Sequence, residues 1–263
     1  MADSALFLRH LFGLDHQVAV VIGGTGVLGG ALCEGLAQAG AKVVVAGRSE
    51  ERGHERVRAI EALGGEATFL PVVADQRLSV QALLDATLTA YGQVDMLVNC
   101  AGANSATPYE QITDEEWHRV VNANLLATHL GCQIFAPFMA TQSQGGSILN
   151  IGSVTAHLPL SRVFAYSASK AAVVNLTKNL AREYAPKNVR VNVLCPGFFP
   201  AEQNRRILDA ERVENIMRGT PMRRFGEPQE LVGAALLLLS RRAGSYITGC
   251  TLYCDGGFTA MRF

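Results

Sequence analysis

The sequence predicts an α/β fold, a parallel sheet doubly wound by helices, on three observations. Short strand-like runs alternate with helical patterns along the chain. The first of them, 17–22, is continuously apolar rather than alternating, as in a parallel strand buried on both faces. The first run passes through a glycine-rich turn into a helix. The chain has 263 residues, 49% of them hydrophobic, enough for one sizeable core. No Pro/Gly/Ser-rich linker, repeat or long charge run divides it, so a single domain over 1–263 is expected. Residues 1–16 then form an N-terminal extension.

The first strand is the run 17–22, QVAVVI. Gly23-Gly24-Thr25-Gly26-Val27-Leu28-Gly29-Gly30 follows, then a helical pattern ending at Gly40. Gly24-x-Gly26-x-x-Gly29 fits the dinucleotide fingerprint in the required strand–turn–helix setting. Its glycines let backbone N–H groups approach a pyrophosphate at a helix N-terminus, where the dipole favours anions. The second strand, 41–46, ends in Gly47-Arg48-Ser49. A cofactor with a free ribose 2′-OH is usually held by an acid here. Arg48 stands in its neighbourhood instead, and a guanidinium can pair with a 2′-phosphate. A solvated loop charge or a stack on adenine are the other readings of Arg48.

Residues 51–63 read as a charged amphipathic helix stopped by Gly64-Gly65. The third strand, 67–73, leads to Asp75, and 78–91 is helical. The fourth strand, 94–99, runs into Asn99-Cys100-Ala101-Gly102. Thr113-Asp114-Glu115-Glu116 reads as a capping box opening a long helix. Asn122 and Asn124 fall in its apolar stretch, either satisfied in the core or functional.

The run 147–152 is a buried strand ending at Ser153. Thirteen residues on comes Tyr166-x-x-x-Lys170, opening a helix to about Tyr184. At that spacing Lys170 lies one turn along the same face as Tyr166. An ammonium near a phenol favours the phenolate, so the Tyr166 pKa is expected to fall from about 10 toward neutral. Such a tyrosine can give or take a proton at a carbonyl or carbinol oxygen. The Ser153 hydroxyl can bond the same oxygen from a second direction. Tyr–Lys pairs four apart arise by accident, so this pair draws its weight from the motifs before it.

Another strand, 189–194, ends in Cys195-Pro196-Gly197. Residues 198–226 are less regular and carry Glu202, Gln203, Asn204, Arg205 and Arg206. Loops beyond strand C-termini cover the ligand crevice, so this segment is placed as a substrate lid. Residues 231–239 are helical, and a last strand, 251–254, precedes Asp255-Gly256-Gly257.

Charge and cysteine usage exclude some classes. Lys+Arg and Asp+Glu are both 23, which argues against a nucleic acid or an anionic membrane as partner. The six cysteines form no C-x-x-C pair, and Cys250 and Cys254 lack a matching His/Cys set, so no metal site is expected. Free thiols fit a reducing cytoplasm. No signal peptide is expected, because Asp3, Arg9, His10 and Asp15 interrupt any apolar core. No apolar run approaches the about 20 residues that span a bilayer.

Taken together, the glycine-rich turn, Asp75, Asn99-Cys100-Ala101-Gly102, Asn124, Ser153, Tyr166-x-x-x-Lys170, Pro196-Gly197 and Asp255-Gly256-Gly257 resemble the short-chain dehydrogenase/reductase family. The resemblance implies a Rossmann-type, seven-stranded parallel sheet with helices on both faces, and commonly a homotetramer. It implies hydride transfer between a nicotinamide cofactor and a secondary alcohol or ketone. Tyr166 would be the acid/base, Ser153 would orient the substrate oxygen, and Lys170 would lower the Tyr166 pKa and bond the nicotinamide ribose. Asn124 would hold a water linking Lys170 to solvent. The backbone at Gly23, Thr25, Gly26, Val27 and Leu28 would contact the phosphates, and Asp75 the adenine. Asn99, Ala101 and Gly102 would frame the adenosine ribose, and Pro196 and Gly197 would border the nicotinamide. With Arg48, the expected cofactor is NADP, with NAD as the second choice. The turn departs from the family pattern: Ile22 stands for its Thr, and Gly26 lies one place before the usual middle glycine.

Residues 197–205 and 220–228 also resemble a branch of D-mannonate oxidoreductases (fructuronate reductases) and related sugar-acid enzymes. The expected substrate is therefore a polar sugar acid or polyol, with Arg162, Gln203 and Arg205 as candidate contacts. The rival within enzymes is a reductase of 3-oxoacyl thioesters or bulky neutral ketones. A non-catalytic dinucleotide-sensing protein is the rival from another class, though it needs no Ser/Tyr/Lys set.

Overall fold

The computed structural model describes residues 2–199 and 210–260. Seven strands form one all-parallel sheet: β1 (Val18–Ile22), β2 (Lys42–Gly47), β3 (Glu66–Pro71), β4 (Met96–Asn99), β5 (Gly146–Ile151), β6 (Val189–Pro196) and β7 (Thr251–Cys254). Their spatial order is β3-β2-β1-β4-β5-β6-β7. The order reverses between β1 and β4, and in such sheets the ligand crevice lies beyond the strand C-termini at that switch. Parallel neighbours need crossovers, and the helices supply them.

Period-two side-chain alternation divides the core into two layers. Ala19, Val21, Val43, Val45, Val98 and Leu149 face α2 (Val27–Gln38), α3 (Glu50–Ala62) and α9 (Val232–Leu239). Val18, Val20, Ile22, Val44, Leu97 and Ile148 face α4 (Arg77–Tyr91), α6 (Ala127–Thr141) and α7 (Phe164–Tyr184). Both faces of β1 and β4 are thus buried, which is why those runs carry no polar alternation.

Three local findings go beyond the sequence pattern. The extension forms helix α1 (Ala2–Phe12), anchored at its end where the Ser240 hydroxyl donates to the Leu11 carbonyl at 2.7 Å and Arg242 to that of His10 at 2.7 Å. The expected capping box is half realised. Thr113 Oγ1 accepts from the Glu116 N–H at 3.2 Å and caps α5 (Asp114–Val121), but the Glu116 carboxylate accepts instead from the Thr107 hydroxyl at 2.8 Å. The long helix beyond is broken by a π-turn, Asn122–Leu126, between α5 and α6. Such bulges re-aim a side chain without ending the helix. Of the expected lid, the described part is Phe198, Phe199, α8 (Ala210–Gly219) and the turn beyond it; Glu202, Gln203, Asn204, Arg205 and Arg206 lie outside the described residues.

Candidate active site

Strand β5 delivers Ser153 two residues past its last member. There Ser153 caps a short 3₁₀ turn, Val154–Ala156, and is 6% exposed. Tyr166 sits in the first turn of α7, half-buried, and Lys170 one turn on, 4% exposed. The Ser153 hydroxyl stands next to the Tyr166 phenol, close enough to act on its proton. Lys170 Nζ donates to the Ile151 carbonyl at 2.7 Å and lies 5.7 Å from the centre of the Tyr166 ring. The three residues that the spacing singled out therefore converge at the C-terminal end of β5.

The electrostatics correct one expectation. Burial pushes the Tyr166 phenol above its ordinary value, opposed by the neighbouring Ser153 hydroxyl. Burial also pulls Lys170 down to about 8. Desolvation is the largest cause for both groups, and the attraction that the spacing suggested does not figure in either shift. The neighbouring thiols of Cys100 and Cys195 are pushed up to about 11 by burial, so they remain neutral beside the site.

Asn124 is fully buried in the π-turn. Its amide accepts from the Ala103 N–H at 2.9 Å, and donates to the Ala103 carbonyl at 2.9 Å and to Ser169 Oγ at 3.1 Å. Ser169 in turn donates to the Tyr166 carbonyl at 2.7 Å. The side chain thus clamps the loop after β4 to α7. Its one remaining acceptor position is the most it can offer a water. Ser169 and Thr155, whose hydroxyl lies 3.1 Å from Ser153 Oγ, are site residues that the sequence reading missed. Their spacings from Tyr166 and Ser153, +3 and +2, were the available signals.

The glycine-rich turn fits a dinucleotide. Gly23 has φ +91°, and a Cβ there would meet the Ala101 nitrogen at 2.6 Å. A Cβ on Gly29 would meet the Gly23 carbonyl oxygen at 2.2 Å, so helix and turn touch backbone to backbone. Gly26 caps α2 with no side-chain bond, and the first turn carries no acid. The N–H groups at that end are left for an anion, with Gly26 and Val27 exposed above them. Thr25 packs directly over Gly47, and Leu28 is half-buried behind the turn.

Arg48 leaves the end of β2 with its side chain exposed, and Asp75 is exposed past β3. Ala101 and Gly102 follow β4; Ala101 abuts Gly23, and a Cβ on Gly102 would lie 3.8 Å from Lys170 Nζ. Pro196 closes β6, and Gly197 donates to the Cys254 carbonyl at 2.9 Å. The Asn99 side chain turns away from the crevice, which leaves its backbone for the expected ribose contact. It is 3% exposed and donates inward to Asn150 Oδ1 at 2.9 Å, itself bonded to Thr177 on α7 at 2.9 Å. Asn99 lies on β4, whose side chains are buried on both faces, and its amide belongs to the layer beneath the crevice. Arg162 sits between Ser153 and Tyr166, exposed, with φ +64°. Gln203 and Arg205 lie outside the described residues.

Comparison with known proteins agrees with this arrangement. Residues 25–259 match a family model described as enoyl-(acyl carrier protein) reductase. The chain is 38% identical to 3beta-hydroxysteroid dehydrogenase 1 of Eggerthella lenta, over 94% of this chain and 95% of that one. It is 35% identical to gluconate 5-dehydrogenase of Gluconobacter oxydans, over 95% and 97%. It superposes with a TM-score of 0.92 on a gluconate 5-dehydrogenase from Burkholderia cenocepacia solved with NADP and tartrate, at 32% identity and covering 97% and 99% of the two chains. The chain belongs to the short-chain dehydrogenase/reductase family, NAD(P)-dependent oxidoreductases of CH–OH and C=O groups.

Proposed function

We propose that this protein moves a hydride between NADP(H) and the secondary alcohol or ketone carbon of a sugar acid or polyol. The observation that carries the reading is the convergence of Ser153, Tyr166 and Lys170 beside an uncapped helix end suited to a pyrophosphate. The bound nicotinamide supplies or accepts the hydride. In reduction Tyr166 gives its phenolic proton to the substrate oxygen; in oxidation it takes one. Ser153 bonds the same oxygen and fixes the carbon for transfer. Lys170 holds its proton within the same buried site and, by the family resemblance, bonds the nicotinamide ribose. Arg48 favours NADP, because no acid opposes a 2′-phosphate where β2 ends.

A sugar acid as substrate is supported by the gluconate 5-dehydrogenase relatives and by Arg162. An arginine held at φ +64° costs about 1–2 kcal/mol, a strain typical of functional loops. Its exposed guanidinium, on the segment between Ser153 and Tyr166, suits a carboxylate. A mannonate- or fructuronate-type substrate is the narrower form of this reading. The family resemblance adds a cytoplasmic homotetramer. A bulky neutral ketone is the second reading, favoured by the steroid dehydrogenase relative. Assay of sugar acids, polyols, ketosteroids and 3-oxoacyl thioesters with NADP(H) and NAD(H) separates them. The proposal expects the fastest turnover with a sugar acid and NADP(H); turnover confined to neutral ketones overturns it.

A further inference from the structure

Ser153 and Thr155 form a small hydrogen-bonded unit that the mechanism above does not use. A serine hydroxyl has one proton to donate and two lone pairs with which to accept. On Ser153 both lone pairs face Thr155: its backbone N–H lies 3.2 Å from Ser153 Oγ, and its hydroxyl 3.1 Å. Ser153 is 6% exposed and Thr155 8%, so bulk water does not compete for these positions. Thr155 is β-branched, which holds its hydroxyl in few rotamers. The backbone of Ser153 is extended, φ −168°, and caps the turn on which Thr155 sits. With both lone pairs engaged, the Ser153 proton has one direction left, toward the Tyr166 phenol.

We propose that Thr155 is a positioning residue for hydride transfer. Its hydroxyl donates to Ser153 Oγ and thereby turns the one Ser153 proton away from Thr155, toward the Tyr166 oxygen in the free enzyme and toward the substrate oxygen once substrate is bound. Thr155 touches neither substrate nor cofactor; it sets the polarity of a chain that runs Thr155 to Ser153 to Tyr166. A hydroxyl at this position stabilises the phenolate through Ser153, and a methyl group in its place leaves Ser153 free to rotate and to accept instead of donate.

The inference rests on the reading of Ser153 and Tyr166 given above, and four variants distinguish the failure of each. T155V, T155S, S153A and S153A/T155V are assayed for NADP reduction with the best alcohol of the substrate panel. NADPH binding and circular dichroism check that each folds. T155V should lower kcat about 3- to 10-fold, the size of one hydrogen bond, with cofactor affinity unchanged. The pH at which oxidation reaches half its plateau should move upward in T155V. T155S should restore both to within about twofold, since it returns the hydroxyl. T155V should have no further effect once Ser153 is alanine. Wild-type kcat in T155V overturns the proposal. So does a T155S as slow as T155V, which would assign the loss to packing, or an equal loss in the S153A background. Wild-type turnover in S153A overturns the reading of the site itself, and this inference with it.

Discussion

The ammonium of Lys170 donates to the carbonyl of Ile151 at 2.7 Å, tying the second turn of α7 to the last residue of β5. That bond holds a cation in a place where burial lowers its pKa from 10.5 to about 8. The folded pKa is below the unfolded one, so the folded state releases this proton first as pH rises. Stability therefore increases between about pH 8 and 10.5, and the buried charge weakens the protein below that window. K170M removes the charge while keeping the length of the side chain. Its melting temperature relative to wild type should be most favourable at neutral pH and decline through that window, by roughly 2–4 °C per kcal/mol. A pH-independent difference would show that Lys170 is not held at a depressed pKa.

Arg48 should discriminate between cofactors. R48A should weaken NADP(H) by roughly 10- to 150-fold, the worth of a charge-assisted contact, and leave NAD(H) nearly unchanged. Equal losses for both cofactors, measured by fluorescence titration, would assign Arg48 to stacking on adenine.

Arg162 follows Ser153 by nine residues and precedes Tyr166 by four. R162L should raise KM for a sugar acid about 10-fold or more and spare a neutral polyol of similar shape. Parallel losses for both would remove the electrostatic support for an acidic substrate.

The backbone contact between Gly29 and Gly23 leaves no room for a side chain. G29A should force the turn apart and weaken binding of either cofactor by about 10-fold or more, since the N–H groups of the turn must converge on one pyrophosphate. Unchanged cofactor affinity, by the same titration, would place the pyrophosphate elsewhere.

Much of this was legible in the sequence because apolar runs and glycine turns report local physics. The continuous run at Val18–Ile22 reads as a strand buried on both faces because a glycine-rich turn and a helical pattern follow it, and Tyr166 and Lys170 fall on one helix face by spacing alone. What stayed hidden depends on tertiary contact. The π-turn at Asn122–Leu126 accompanies the bonds of Asn124 to Ala103, twenty-one residues away in the chain. The inward turn of Asn99 depends on Asn150 and Cys132, its partners in the fold. The raised pKa of Tyr166 comes from burial, which spacing does not reveal. Helix α1 has no strand or motif beside it in the sequence, and its anchors, Ser240 and Arg242, lie at the other end of the chain.

The central claim is that Tyr166 is the acid/base of an NADP(H)-dependent oxidoreductase. Y166F removes one hydroxyl and keeps the ring, so it should lower kcat by about 10²–10⁴ while NADP(H) affinity, measured by titration, stays within about twofold. Turnover within twofold of wild type with any substrate in the panel would contradict the account.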